Sequence, residues 1–270
     1  MYIERTNSTN TLMKELLVRG EWPEGERWLR TDFQSAGRGQ AGNSWESAPG
    51  KNLLCSVLMS YQPSAISRQP FYLNVLISVA VHKVIRSVLC QQSGLCSVSE
   101  AVSIKWPNDI YYGDKKIAGI LIENAILGSE VTYSIAGIGL NVNQTTFLSS
   151  APNPVSLKLI SGKETDIDTL MQALMAQIEA LEAMDEAQVW AYYRDHLYRR
   201  DGFWPFVERE VSTAPTMNYS PSLEERDGER LERPIFLAKI EDVRTDGELE
   251  LRDQDGNLRT YHFKEIRYVL

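Results

Sequence analysis

The chain has 270 residues, enough for one large domain and a smaller one beside it. Its 36 acidic and 28 basic side chains leave a formal net charge of −8, which argues against a nucleic-acid-coating role, where a basic stripe is expected. Cys55, Cys90 and Cys96 show no paired spacing and suit a reducing, cytoplasmic setting; the charged N-terminus does not suit a signal peptide, and no uninterrupted apolar stretch is long enough to cross a bilayer.

In chain order, Asn10 to Arg19 reads as a helix, with Leu12, Leu16 and Leu17 on one face and Asn7, Ser8 or Thr9 as its cap. Glu26 to Asp32 reads as a strand that enters a glycine-rich loop, Thr31 to Trp45. Leu53 to Met59 is a short apolar run of buried-strand type. Phe71 to Leu89 carries Leu73, Leu76, Ile77, Ala80, Val81, Val84 and Val88 at helical spacing and predicts a core helix. Val102 to Lys105, Ile110 to Tyr112, Lys115 to Ala125 and Val131 to Asn141 are candidate strands. Turn signals at Tyr112-Gly113-Asp114-Lys115 and Gly128-Ser129-Glu130 join them as antiparallel hairpins. Asp166 to Met184 is amphipathic, with Ile167, Leu170, Leu174, Ile178 and Leu181 on one side, and a second helix follows over Glu186 to Leu197. Val211 to Glu232 mixes Ser, Pro, Glu and Arg and reads as a long loop or insertion. Pro234 to Leu270 alternates as short strands around Asp246-Gly247 and Asp255-Gly256. These elements predict an α+β fold: a mixed, largely antiparallel sheet flanked by helices over residues 1–200, a linker or insertion over 201–232, and a small SH3-like β-barrel over 233–270. The βαβ alternation of a doubly wound parallel sheet is poor.

Four segments could carry chemistry. In Gln34-Ser35-Ala36-Gly37-Arg38-Gly39-Gln40, bare backbone N–H groups and a guanidinium can approach an anion, and Trp45 adds a flat face for a ring. The spacing fits neither a P-loop nor a dinucleotide fingerprint, and alone it could be a surface turn. Lys105-Trp106-Pro107-Asn108-Asp109 places a compact cation for a phosphate beside two side chains that can bind a ligand, with Asp109 able to help hold a metal; its bland alternative is a strand exit and an Asx turn. Lys115 and Lys116 enter the apolar strand Ile117-Ala118-Gly119-Ile120-Leu121-Ile122-Glu123, where neighbours face opposite sides, so that one can point to solvent and the other into a cleft. Gly137-Ile138-Gly139-Leu140-Asn141-Val142-Asn143 puts two glycines inside a strand, a sign of close backbone or ligand approach, with Asn141 and Asn143 on one face. His82, His196 and His262 are scattered, none at ligand spacing with another His or Cys, so a structural zinc site has no support.

In this order and spacing the chain resembles the biotin protein ligases. The resemblance runs through Ser8-Thr9-Asn10, Gln34 to Gly39, Trp45, Lys105 to Asp109, Lys116 to Leu121 and Gly137 to Asn141, and covers roughly residues 1–195. With the Ser-Thr-Asn motif starting at residue 8, the chain resembles the ligase-only class, without the N-terminal DNA-binding domain of the repressor members. The resemblance implies ATP-dependent activation of biotin to biotinyl-5'-adenylate, then amide formation with a lysine of a biotin carboxyl carrier protein of an acyl-CoA carboxylase. It assigns catalysis to Lys116 and Arg38. It assigns biotin to Ser8, Thr9, Asn10, Gln34, Gly37, Arg38, Gly39, Gln40, Lys116 and Gly119, and ATP or the adenylate to Arg38, Gln40, Trp45, Lys105, Asn108, Asp109, Lys116 and Asn141. Mg²⁺ is expected with ATP, near Asp109 at most, and is not fixed by the protein alone. No nucleic acid or membrane partner is expected, and the chain is expected to be a monomer or a weak homodimer. Gln40 departs from the arginine usual in the family at that position, which loosens the expected hold on the adenylate. Residues 37–45 are expected to be mobile until ligand binds. A lipoate or octanoyl ligase of similar core fold, or a non-catalytic biotin or nucleotide sensor, is the competing reading.

Overall fold

The computed structural model describes residues 1–39, 43–60, 71–94, 96–127, 130–148, 153–209 and 234–269. The chain forms two compact units, Met1–Tyr198 and Arg199–Leu270. In the first, β1 (Tyr2–Thr6), α1 (Thr9–Arg19), β2 (Trp28–Gln34) and β3 (Leu53–Ser60) are followed by α2 (Tyr72–Ser93) and α3 (Cys96–Glu100). Then come β4 (Val102–Lys105), β5 (Asp109–Tyr112), β6 (Lys115–Leu127), β7 (Glu130–Leu140), α4 (Leu157–Ser161), α5 (Ile167–Glu182) and α6 (Glu186–Asp195). The second unit holds β8 (Trp204–Glu208), β9 (Phe236–Val243), β10 (Leu249–Asp253), β11 (Leu258–Tyr261) and β12 (Ile266–Tyr268).

The large sheet runs β1-β2-β3-β7-β6-β5-β4. Only β1 on β2 is parallel; the remaining pairs are antiparallel. The α+β reading with a mixed, largely antiparallel sheet is the observed architecture. Four elements differ from the sequence reading. Tyr2–Thr6 is a strand although it is short and polar, because pairing on β2 satisfies its backbone groups; the short α3 and α4 also lack a full turn of periodic signal. Trp204–Glu208, placed in the linker by the sequence reading, is a strand of the small sheet, whose order is β11-β10-β9-β8-β12 and whose pairs are all antiparallel. The expected 211–232 insertion and the Gly128-Ser129 step lie outside the described residues.

The sheet has two differently covered faces. On one, Met13 of α1 packs with Leu29 of β2 and Ile135 of β7, backed by Leu12, Leu17 and Leu58. α2 packs against α5, α6 and strands β4 to β6 on the other side of the sheet. It buries residues on nearly every side, including Val75, Leu76, Ile77, Val79, Ala80 and Ile85, which is why its sequence is apolar all round. By length and composition this helix could cross a bilayer, contrary to the sequence expectation, yet 67% of its most apolar window is buried within the protein, as befits a core helix. Cys55 is free and buried, whereas Cys90 is disulfide-bonded although the sequence shows no paired spacing.

Candidate active site

The α1 face of the sheet carries a trough whose floor is bare backbone. Gly119 of β6 pairs with Gly139 of β7, and Leu121 pairs with Gly137, so three glycines lie side by side on adjacent strands. The space above them is already used. A Cβ on Gly137 would collide with the Asn10 amide, and one on Gly139 would lie 2.7 Å from Nε1 of Trp45 and 2.8 Å from its Cζ2. A Cβ on Gly119 would lie 3.0 Å from the Trp45 ring and 3.2 Å from Lys116 Nζ. These positions need glycine because side chains from α1, the loop and β6 converge on them.

One end of the trough is a buried amide and hydroxyl cluster. Thr9 and Asn10 start α1 and are both buried. Ser8 occupies the N-cap position in extended conformation, but its hydroxyl makes no capping bond. The Thr9 backbone N–H and hydroxyl both donate to Gln34 Oε1, at 2.8 and 3.1 Å. This turns the Gln34 amide nitrogen toward Gly37. Asn10 Nδ2 donates to Glu123 Oε2 at 2.7 Å and to the Leu121 carbonyl at 3.3 Å. Ser56 of β3, fully buried, lies 2.8 Å from Thr9 Oγ1 and 2.5 Å from Asn10 Oδ1; its one hydroxyl proton can serve either acceptor. Sequence reasoning missed Ser56 and Glu123. The first was visible as the lone hydroxyl facing the trough within an apolar strand. The second was visible as the acid two steps of the strand period beyond Gly119.

The other end holds the charged groups. A β-bulge between β5 and β6 sets Tyr111 opposite Lys116 and Ile110 opposite Ala118, leaving Ile117 without a partner. Simple alternation would send Lys116 and Gly119 to opposite faces. The extra residue brings them to the same one. Lys116 Nζ donates to Asp109 Oδ2 at 2.7 Å and stands 5.8 Å from the centre of the Trp45 ring, with both charged side chains about a third exposed. Lys115 points to solvent. Trp45 is held by its backbone N–H on the Gly37 carbonyl at 2.9 Å, and Arg38 and Ser44 form an antiparallel bridge beside it. The indole Nε1 is buried and finds no partner among the described residues, as does the Oδ1 of Asn141 just past β7.

The structure separates the remaining sequence-predicted residues. Arg38 does not face Lys116: its Nη2 donates to Glu123 Oε2 at 2.9 Å and to Thr11 Oγ1 at 3.2 Å, at the amide end. Lys105 lies against Tyr111, donating to its hydroxyl at 3.0 Å; burial, reinforced by Asp109, pushes that hydroxyl above its ordinary pKa and keeps it neutral. Asn108 is the clear departure. It is buried and donates to Asn74 Oδ1 of α2 and to the Ile120 carbonyl, so it braces the turn against α2, away from Lys116 and Trp45. Asn143 likewise clamps the chain before α5, exchanging bonds with the Thr165 backbone, and the strand stops at Leu140 before Asn141 and Asn143 can share its face. Gln40 lies outside the described residues, as do its neighbours 41 and 42, so the expectation made for residues 37–45 falls in part outside them. Among the described residues no group of three or more His, Cys, Asp or Glu is placed to hold a metal ion.

The chain is similar to known proteins in sequence and fold. The biotin/lipoate A/B protein ligase family model matches residues 2–141. The bifunctional ligase/repressor BirA of Escherichia coli is 27% identical over 198 residues, which span 73% of this chain and 57% of that protein. The biotin--[acetyl-CoA-carboxylase] ligase of Paracoccus denitrificans is 28% identical over 177 residues, 64% of this chain and 68% of that protein. A biotin protein ligase from Aquifex aeolicus, solved in complex with biotin and ATP, has the same fold, with a TM-score of 0.68 at 19% identity, covering 100% of this chain and 98% of that one. The family match spans just over half of the sequence, including α1, the glycine-rich loop and all three trough glycines, and the chain belongs to the biotin/lipoate A/B protein ligase family.

Proposed function

We propose that the chain is a biotin protein ligase, activating biotin with ATP and passing it to a lysine of a biotin carboxyl carrier protein. The observation that carries this reading is the polarity of the trough: a buried amide and hydroxyl cluster at one end, a floor of glycines beneath Asn10 and Trp45, and an ammonium–carboxylate pair at the other. Biotin has that order of chemistry. Its ureido ring offers donors and acceptors to Thr9, Asn10, Gln34 and Ser56, its aliphatic chain needs a floor without side chains, and its carboxylate needs a cation. The lipoyl dithiolane has no use for such a cluster, since a site of buried hydrogen-bonding groups disfavours a ligand that leaves them unpaired.

In the first step a biotin carboxylate oxygen bonds to the α-phosphorus of ATP and the bond to pyrophosphate breaks. Like charges must approach, so the main task is charge neutralisation and alignment. Lys116 stands where it can donate to the carboxylate and to an α-phosphate oxygen, while Asp109 sets the direction of its ammonium. Mg²⁺ would arrive with ATP and offset the charge of the leaving pyrophosphate; Asp109 is the carboxylate at hand for it. Trp45 supplies a ring face, and its unpaired Nε1 and the Asn141 Oδ1 are a donor and an acceptor available to a ligand edge. In the second step an uncharged lysine amine of the carrier attacks the acyl carbon, the carbon–nitrogen bond forms, and AMP leaves as the acyl–oxygen bond breaks. The name of the Paracoccus relative supports an acetyl-CoA carboxylase subunit as the carrier. Exchange of labelled pyrophosphate into ATP, measured with biotin and separately with lipoate, tests the reading. Exchange that requires biotin is expected, and exchange with lipoate alone would overturn it.

A further inference from the structure

Glu123 has no role in the chemistry above, yet it binds two parts of the site at once. A single oxygen, Oε2, accepts from Asn10 Nδ2 at 2.7 Å and from Arg38 Nη2 at 2.9 Å. Among the described residues the Arg38 guanidinium has no other carboxylate partner, and its remaining side-chain bond is to the Thr11 hydroxyl at 3.2 Å. The backbones of Lys116 and Glu123 lie at opposite ends of the part of β6 that lines the trough, roughly 20 Å apart at a strand rise of about 3.3 Å per residue, with Lys116 Nζ reaching to Gly119. Arg38 is bridged to Ser44, next to Trp45, whose indole touches Gly119, a residue of β6 between Lys116 and Glu123. A long side chain rooted there can reach toward either end, and at present it is turned to Glu123.

We propose that Glu123 is a positioning residue that holds the Arg38 guanidinium away from the reacting phosphate, competing with the substrate anion for it. The inference rests on the biotin-ligase reading. The protein carboxylate and the phosphate are alternative partners of one cation, so Arg38 must leave Glu123 before it can stabilise the mixed anhydride, and the pair opposes nucleotide engagement. The competition is mild: with Arg38 46% and Glu123 31% exposed, an ion pair of this kind changes an equilibrium by about two- to fivefold. The second bond serves another purpose. Asn10 must present Nδ2 to Glu123 and Oδ1 to Ser56, so Glu123 also fixes which way that amide faces the trough.

The two duties separate in Glu123→Gln. The amide oxygen of glutamine can still accept from Asn10, but the charge that holds Arg38 is gone. Biotin-dependent pyrophosphate exchange should show the KM for ATP falling about threefold, with the binding constant for biotin alone, from calorimetry, unchanged. In the Arg38→Ala background the same substitution should leave the KM for ATP where it was, or, if exchange there is too weak to measure, the affinity for a non-hydrolysable ATP analogue. Amide exchange in the ligand-free protein should quicken at residues 36–39, a readout that needs no turnover. An unchanged or raised KM for ATP in Glu123→Gln, or an equal effect with and without Arg38, overturns the proposal. Absence of biotin-dependent exchange in the unmodified chain overturns the ligase reading instead.

Discussion

Replacing Gly139 by alanine separates stability from function in this site. A Cβ there would lie 2.7 and 2.8 Å from two atoms of the Trp45 ring and closer still to a third, whereas non-bonded carbons settle about 3.5–4.0 Å apart. The indole must retreat by roughly 1 Å, since Gly139 is fixed between β3 and β6 while Trp45 hangs from the loop. Relieving such an overlap costs about 1–3 kcal/mol. If the cost falls on the arrangement that places Trp45 over the trough, the rate of biotin activation drops by about 5- to 150-fold, at about 1.4 kcal/mol per factor of ten. The fold pays almost none of it. Gly139 does not need a left-handed backbone, and a glycine-to-alanine change at such a site stabilises by about 0.4–1 kcal/mol through the unfolded chain. Pyrophosphate exchange and thermal unfolding measured together should therefore move apart: activity down, Tm level or slightly up. Pairing the change with Trp45→Ala should restore part of its effect, because the colliding ring is gone. Wild-type exchange in Gly139→Ala would refute the placement of Trp45 on this floor, and so would a double variant in which the two losses simply add.

Other outcomes follow from the same contacts. Lys116→Ala should abolish adenylate formation with little change in Tm, because a third-exposed ion pair contributes at most about 1 kcal/mol; normal pyrophosphate release by that variant would remove Lys116 from the mechanism. Ser56→Ala leaves Thr9 and Asn10 short of a buried donor and should destabilise by about 1–3 kcal/mol while weakening biotin binding, as calorimetry and thermal unfolding would show; unchanged values for both would contradict the hub role. His82 is buried between α2 and β4, bonded to the Val102 carbonyl and the Tyr192 hydroxyl, and burial pulls its pKa down to about 3 from 6.5. The unfolded chain takes up that proton first as pH falls. The stability held by neutral His82 is therefore complete above about pH 6.5 and declines between there and pH 3. Tm should fall from pH 7 to pH 5 more steeply in the wild type than in His82→Gln, and parallel slopes would count against it.

Much of this molecule could be read from its residues, and the gaps have physical causes. α1, α2, α5 and the four strands from Val102 to Leu140 announce themselves because hydrophobic periodicity reports burial, and each buries a face. β1 does not, since Tyr2 to Thr6 are polar or exposed and the strand exists only through pairing with β2. β8 was hidden for a different reason. Its partners on β9 and β12 lie far along the chain, and a short run beside Pro205 carries no local strand signal. In the site, the glycines, Lys116, Thr9, Asn10 and Gln34 were legible as types suited to a close-packed polar trough. That Asn108 turns to α2, and that Arg38 rests on Glu123, depends on contacts between segments distant in sequence, which no spacing encodes. The bulge at Ile117 belongs with these: a single unpaired residue decides which way Lys116 points.

The central claim is that one trough brings the biotin carboxylate to Lys116 for activation and then delivers it to an amine. Mass spectrometry of a biotin carboxyl carrier domain incubated with this protein, biotin and MgATP tests it most directly. The account requires one biotinyl group on one lysine, absent when ATP is omitted and absent with Lys116→Ala; an unmodified carrier, or equal labelling by the Lys116→Ala variant, would contradict it.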